Sequence, residues 1–228
     1  MRFQEAAPDA RAVVYAGIQA DPLVARAAEV LADANAEQRL LARAVMNGET
    51  VDAAAWRGMF PSLFEESLAT ADEERSEAIL AASLAVADRG EQVRSQYRGA
   101  IVEALTERLL RRGATGPAAV RRERRILFDG VRAEIHPYDV TVETPGAAAA
   151  VDCKWGARGI SADVLHQLDD ARTHAADEDE RLVVALVVFD AERSCAVRLD
   201  RQTAPHEATR IIGLESLDTL AAPLVPAS

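Results

Sequence analysis

The stretch from 133 to 154 carries two aspartates and one lysine whose types and spacing could do chemistry. This stretch is predicted to form two strands: the first carries Asp139, Pro145-Gly146 makes the turn, and the second ends in Asp152 and Lys154. Side chains two apart on a strand point to the same face, so Asp152 and Lys154 project together and Asp139 can lie across from Asp152. Two carboxylates, with a carbonyl and waters, suit a hard divalent cation such as magnesium. A lysine beside them could orient a water or stabilise developing charge.

The order of these residues resembles the PD-(D/E)xK nuclease superfamily, which has the restriction-endonuclease-like fold. In that family an acidic residue ends the second core strand and a (D/E)-x-K tripeptide ends the third. Asp139 and, after twelve intervening residues, Asp152-Cys153-Lys154 match this pattern. One departure is that Tyr138 separates Pro137 from the aspartate. The resemblance extends over roughly residues 95 to 200.

Two further residues match the family pattern, one on each predicted flanking helix. Glu103 corresponds to the acidic residue of the first core helix, and Gln167 to a glutamine on the helix after the lysine. Glu103 lies two residues from both Ile101 and Leu105, about 200° around a helix from each, so we expect it to be solvated. The alternatives are an ordinary surface acid for Glu103, with Glu107 serving the site instead, and an ordinary exposed glutamine for Gln167.

The resemblance implies a chemistry and a set of site residues. Mg²⁺ or Mn²⁺ would be held by Asp139, Asp152 and the Cys153 carbonyl, with Lys154 orienting the attacking water. The substrate would be nucleic acid, DNA in preference to RNA, and small bacterial nucleases of this type often belong to anti-phage or restriction systems. The alternative is an inactive member of the fold that serves as a binding or scaffold subunit. The implied catalytic residues are Asp139, Asp152, Lys154, Glu103 and Gln167.

The use of basic residues supports a chemical role for Lys154. The chain contains 26 lysine and arginine residues, and Lys154 is the only lysine among them. Arginine stays protonated in proteins, whereas lysine is a compact point charge whose pKa can be tuned. The lone lysine therefore falls where the predicted chemistry needs one, although chance survival would leave the same pattern.

Charge and composition limit the possible functions. A formal net charge of −11 argues against a protein that coats nucleic acid generally, but local basic patches decide phosphate contact. Arginines between 111 and 132, together with Arg158, form the densest basic region, which could contact phosphate or keep an edge strand soluble. Aromatic residues make up only 4% of the chain, so we expect a core of Ala, Leu, Val and Ile. Cys153 and Cys195 are expected to be buried.

The predicted elements describe an α/β sandwich with a mixed central sheet, preceded by a helical region. Residues 1–90 are predicted to be helical and to bind a partner or form a homodimer, and residues 91–228 to form the nuclease-like domain. No signal peptide or membrane-length apolar run is evident, so a cytoplasmic location is expected. Predicted strands cover 120–128, 182–189 and 194–199, a helix covers about 161–176, and a last strand or short helix falls within 208–217.

Overall fold

The chain folds into two compact units. The computed structural model describes residues 1–6, 10–65, 69–129, 131–132 and 136–225. One unit comprises Ala10–Leu105, and the other comprises Met1–Asp9 together with Thr106–Ser228. The sequence predicted a domain boundary near residue 90 and assigned residues 1–9 to the helical region. In the structure the helical unit ends at Leu105, and Met1–Asp9 belong to the unit that contains the sheet.

The unit of residues 10–105 is built from helices. Asp21 caps one helix by accepting the Leu23 N–H, and Asn35 and Gln38 form a reciprocal capping box at the next. Its core is aliphatic, as the composition predicted, with Leu31, Leu41 and Ile79 at most 1% exposed. The helices are α1 (Ala10–Gln19), α2 (Pro22–Ala32), α3 (Ala36–Asn47), α4 (Ala53–Met59), α5 (Thr70–Ala87) and α6 (Glu91–Gly113), the last of which continues into the other unit.

The other unit is a mixed sheet flanked by helices, so the predicted α/β class is confirmed. Its strand order is β1-β2-β4-β5-β6-β7, with β3 paired to β2. The β1–β2, β2–β4 and β4–β5 pairs are antiparallel, and β5–β6 and β6–β7 are parallel. The elements are β1 (Arg2–Glu5), β2 (Ala119–Phe128), β3 (Val131–Arg132), β4 (Tyr138–Thr144), β5 (Ala147–Lys154), α7 (Ala162–Asp177), β6 (Arg181–Val188), α8 (Glu192–Leu199) and β7 (Arg210–Ile212).

The central strands are apolar on both faces because both faces are covered. Alanine at 147–150 and the run Leu182–Val188 leave few polar side chains on β5 and β6, as expected for parallel strands buried on both sides. On one face, helix α7, whose first turn is capped by Ser161, packs Leu165 and Leu168 against the sheet. On the other face, Thr106 of α6 lies 3.4 Å from the Cys153 sulfur.

An irregularity in β2 changes which face of the sheet its side chains occupy. Glu123 has φ 51°, a left-handed conformation that is uncommon for residues other than glycine. Before it, Arg122 pairs with Glu107 of α6, whereas after it Ile126 and Phe128 belong to the cluster packed on α7. All three have even numbers, so regular alternation would have placed them on one face. The alternation of side-chain faces in β2 is therefore broken at Glu123, while its register with β4 is the same on both sides of this residue.

Two sequence predictions about secondary structure are wrong. Residues 194–199, predicted as a strand, lie in α8: Cys195 is buried and Leu199 packs on the same cluster, whereas Val197 is 48% exposed. Burial at a spacing of four is helical, and a six-residue window was too short to distinguish the two periods. The second error is β1, which falls in the region predicted to be helical and forms by pairing Phe3 with Ile126.

The remaining sheet predictions agree with the structure where it describes them. Strands β2 and β6 and helix α7 match the predicted ranges within a few residues, and β7 lies within 208–217. Residues 133–135, predicted to begin the strand of Asp139, lie outside the described residues.

Candidate functional site

Lys154 and Asp152 form an ion pair at the end of β5. The Lys154 Nζ lies 2.7 Å from Asp152 Oδ2, and the exposed fractions of the two side chains are 28% and 10%. Both lie on the α7 side of the sheet, since they alternate with Cys153, which faces Thr106. Burial lowers the pKa of the lysine ammonium, but the nearby carboxylates of Asp152 and Asp139 outweigh it, so the pKa is raised overall.

Asp139 reaches the same place from β4. Its Oδ2 accepts a hydrogen bond of 2.6 Å from the Cys153 N–H. The β4–β5 ladder ends at the pair Val140–Val151, while β5 continues beside β6 as far as Lys154. The aspartate side chain thus supplies the acceptor that the backbone of β4 would supply in a longer ladder.

Asp139 lies beside the irregularity in β2, and its side chain extends sideways along the sheet to the Cys153 N–H. Strand β2 pairs Arg122 with Val140 and Arg124 with Tyr138, so Glu123 and Asp139 occupy the interval between these pairs. Tyr138 belongs to the cluster on α7, whereas Val142, also even-numbered, lines a cavity with Leu110 of α6. Strand β4 therefore changes faces at Asp139, just as β2 does at Glu123.

Gln167 holds the segment that enters β4. Its Nε2 donates to the His136 carbonyl at 3.2 Å, and its own carbonyl accepts from the Tyr138 hydroxyl at 3.4 Å. The glutamine thus contacts the chain just before Asp139. The alternative of an ordinary exposed glutamine does not describe Gln167, whose side chain is half-buried and hydrogen-bonded.

Glu103 is only 6% exposed, so the expectation that it would be solvated is wrong. It lies in the helical unit, where its Oε1 accepts from the Tyr15 hydroxyl at 2.5 Å and its Oε2 from the Gln19 amide at 2.7 Å. Both donors are on α1, which covers the side of α6 that helical periodicity alone would leave in water. The alternative, Glu107, is shared by Arg111 at 2.6 Å and Arg122 at 2.5 Å.

A tight turn after Lys154 is anchored by an acid that the sequence analysis missed. Asp190, two residues after the end of β6, accepts the Ala157 N–H at 3.0 Å and the Ala191 N–H at 2.9 Å. Trp155 stacks on Phe189 with ring centroids 4.9 Å apart. An acidic residue directly after a long apolar strand was the signal that could have identified Asp190.

The donor types of the predicted metal set fit magnesium or manganese. Carboxylate and carbonyl oxygens are the ligands that hard divalent cations prefer. The two carboxylates also act together electrostatically, because both raise the pKa of Lys154. Within the described part of the chain, no three His, Cys, Asp or Glu side chains are grouped closely enough to hold a metal by themselves. The predicted set needs only Asp139, Asp152 and a backbone carbonyl.

Several arginines of the basic region are ion-paired. Arg122 pairs with Glu107, and Arg124 with Glu143 at 3.0 Å, so these charges are partly neutralised. Arg121 and Arg158 are exposed, and the structure records no ion pair for either within the ranges it describes. Of these two, Arg158 belongs to the turn that follows Lys154.

Comparison of the chain with protein-family models, with curated proteins and with solved structures found no match. None of the helices that the structure describes is long and apolar enough to cross a lipid bilayer.

Proposed function

We propose that the chain is a divalent-metal-dependent phosphodiesterase that cleaves nucleic acid, DNA in preference to RNA, with a restriction-endonuclease-like sheet. The observation that carries this proposal is the grouping of Asp139, Asp152 and Lys154 where β4 and β5 separate. Lys154 lies 2.7 Å from Asp152, and the backbone N–H between these two residues binds Asp139. The order α6-β2-β4-β5-α7-β6, with the short β3 after β2, supports the same proposal.

Each residue has a role that its contacts support. Asp139, Asp152 and the Cys153 carbonyl would hold the divalent ion, which would lower the pKa of a bound water and offset the charge of the attacked phosphate. Lys154, held as an ammonium beside both carboxylates, donates a hydrogen bond that orients the water. Gln167 keeps the segment before Asp139 in place through the His136 carbonyl.

The helical unit is proposed to bind a protein partner or a second copy of the chain. The exposed apolar side chains Val13, Val14 and Met59 support this part of the proposal; they are 63%, 61% and 55% exposed and all belong to that unit.

The proposal is tested by incubating the protein with plasmid, linear and single-stranded DNA and with RNA. We expect cleavage with Mn²⁺ or Mg²⁺ and none with EDTA, because the carboxylates need the cation to act on a phosphodiester. The alternative of an inactive scaffold predicts no cleavage of any substrate and no change in melting temperature on adding either metal. That pair of results would reject the proposed function.

Arg158 is expected to supply a phosphate contact beside the site. Arg158 is exposed and belongs to the turn that follows Lys154, whereas Arg122 and Arg124 form ion pairs with glutamates. With Ca²⁺ in place of Mg²⁺, Arg158→Ala should weaken binding to duplex DNA and reduce the slope of log K against log salt by about 0.9. Binding is measured by fluorescence anisotropy across a salt series.

Arg181→Ala is the matched control for Arg158→Ala. Arg181 is also exposed but begins β6, opposite Ala147, about 23 Å from the Lys154 end at 3.3 Å per residue. Its removal should leave the salt slope unchanged. Equal slopes for both variants would mean that Arg158 contributes only general charge.

A further inference from the structure

Gly159 lies directly against the side chain of Lys154. A Cβ placed on Gly159 would be 2.8 Å from Lys154 Cβ, 2.9 Å from Cγ and 3.0 Å from Cδ. These separations are well below the 3.5 to 4.0 Å at which two carbon atoms make favourable contact. The side chain of Lys154 therefore occupies the space in which any other residue at position 159 would carry its first side-chain atom.

The glycine is required for space and not for backbone conformation. Among the residues that the structure describes, the glycines with a left-handed φ are Gly116 and Gly146, and Gly159 is not one of them. Alanine could adopt the backbone conformation of Gly159 but could not fit there. The obstructing atoms include Lys154 Cβ, which is attached to the backbone of β5 and cannot rotate away.

The turn that carries Gly159 is held on several sides. The Gly159 N–H donates to the Gly156 carbonyl at 2.8 Å, and Asp190 accepts the Ala157 N–H. Arg198 Nε donates to the Ile160 carbonyl at 3.0 Å, and Ile160 is fully buried. These hydrogen bonds hold the turn in place, and with it the backbone of Gly159 that lies against Lys154.

We propose that Gly159 is a positioning residue for Lys154. Because Gly159 has no side chain, the aliphatic part of the Lys154 side chain can lie against the turn, and this contact holds the ammonium beside Asp152 and Asp139. A lysine side chain loses rotamer entropy when it is fixed, and one partly exposed ion pair is a weak restraint by itself. Contact along Cβ, Cγ and Cδ removes the alternative rotamers before any substrate binds. The effect on rate rests on the proposed function, whereas the placement of the lysine does not.

The single lysine gives this proposal a readout that does not depend on activity. With ¹³C-labelled lysine, the full-length protein has one set of lysine side-chain signals, all from Lys154. In Gly159→Ala we expect these signals to shift and the Cε resonance to sharpen through greater mobility. Turnover should fall about ten- to a hundred-fold with little change in KM, because the group is misplaced while the substrate contacts remain.

Gly58→Ala is the matched control, since a Cβ at Gly58 would meet no atom within 4 Å. It makes the same chemical change on α4 and should leave both the lysine signals and the rate unchanged. In the wild-type protein, nuclear Overhauser contacts between the Gly159 α protons and the Lys154 side chain are expected, which keeps the test decisive if Gly159→Ala does not fold.

Three results would overturn the proposal: no such contact in the wild type, lysine signals in Gly159→Ala identical to wild type, or shifted signals with a wild-type rate. If the wild-type protein cleaves no substrate, the proposed function fails. The lysine signals then decide the placement of Lys154 by themselves.

Discussion

Lys154→Ala is expected to lower the rate of metal-dependent phosphodiester cleavage by about a hundred- to a thousand-fold, the usual effect of removing a positioned electrostatic or proton-transfer group. The loss is expected because the Lys154 ammonium lies 2.7 Å from Asp152, and the carboxylates of Asp152 and Asp139 raise its pKa. Folding should survive, because the side chain is 28% exposed and carries no part of the apolar core. Single-turnover cleavage and circular dichroism measure the two effects separately.

Lys154→Arg is the sharper form of this test, because it keeps the charge and changes only shape and hydration. We expect it not to restore activity. The planar guanidinium is larger than an ammonium, and the stem is confined by Gly159, so the head group cannot take the same position. The chain uses arginine at its other 25 basic positions, so a purely structural ion pair should accept the change.

Arg172→Lys is the matched control for exchange between the two basic residues. Arg172 pairs with Asp169 at 2.8 Å on the surface of α7, where exchange should have little effect on either stability or rate. A Lys154→Arg protein that cleaves at the wild-type rate would show that Lys154 contributes charge alone. That result would contradict a chemical role that only a lysine can fill.

Asp139→Asn and Asp152→Asn are each expected to abolish stabilisation by divalent metal. A ligand at about a hundred times its Kd stabilises the folded state by about 2.7 kcal/mol, which for a chain of this size raises Tm by about 5 to 10 °C. Asparagine keeps the shape but removes the negative charge that a hard cation requires. Thermal melts with Mn²⁺, with Mg²⁺ and with EDTA measure the change, and cleavage should fall with it.

The control for lost charge is Asp169→Asn, which breaks the ion pair with Arg172 away from the predicted metal ligands. That variant should keep the full metal-dependent rise in Tm. If Asp152→Asn also keeps it, the carboxylate pairs with Lys154 for structural reasons only, and the metal assignment of Asp139, Asp152 and Cys153 fails.

Local patterns in the sequence were sufficient for much of the fold. The apolar run of β6 and the turn at Pro145-Gly146 predict their elements because strand burial and turn chemistry depend on neighbouring residues. The common direction of Asp152 and Lys154 follows from strand alternation alone. The α/β class followed from the order of these elements.

The same local reasoning failed where a residue's surroundings come from distant parts of the chain. Residues 194–199 alternate, yet contacts with the core select a helix that buries Cys195 and packs the partly buried Leu199 on the same cluster. Strand β1 exists because β2 offers it a partner, and its four residues carry no periodic signal of their own.

The site itself depends on both kinds of information. The sequence identified Asp139, Asp152 and Lys154 as candidate site residues by their type, order and spacing. Only the tertiary structure decided how they meet: Asp139 lies where the alternation of both β2 and β4 breaks, and its side chain reaches the Cys153 N–H. It also decided that Glu103 is buried under Tyr15 and Gln19 and that Gly159 confines the lysine. The contacts of Glu103 join residues far apart in the chain, and that of Gly159 depends on how the turn after β5 folds back on Lys154. The periodicity of a single strand or helix contains no information about either.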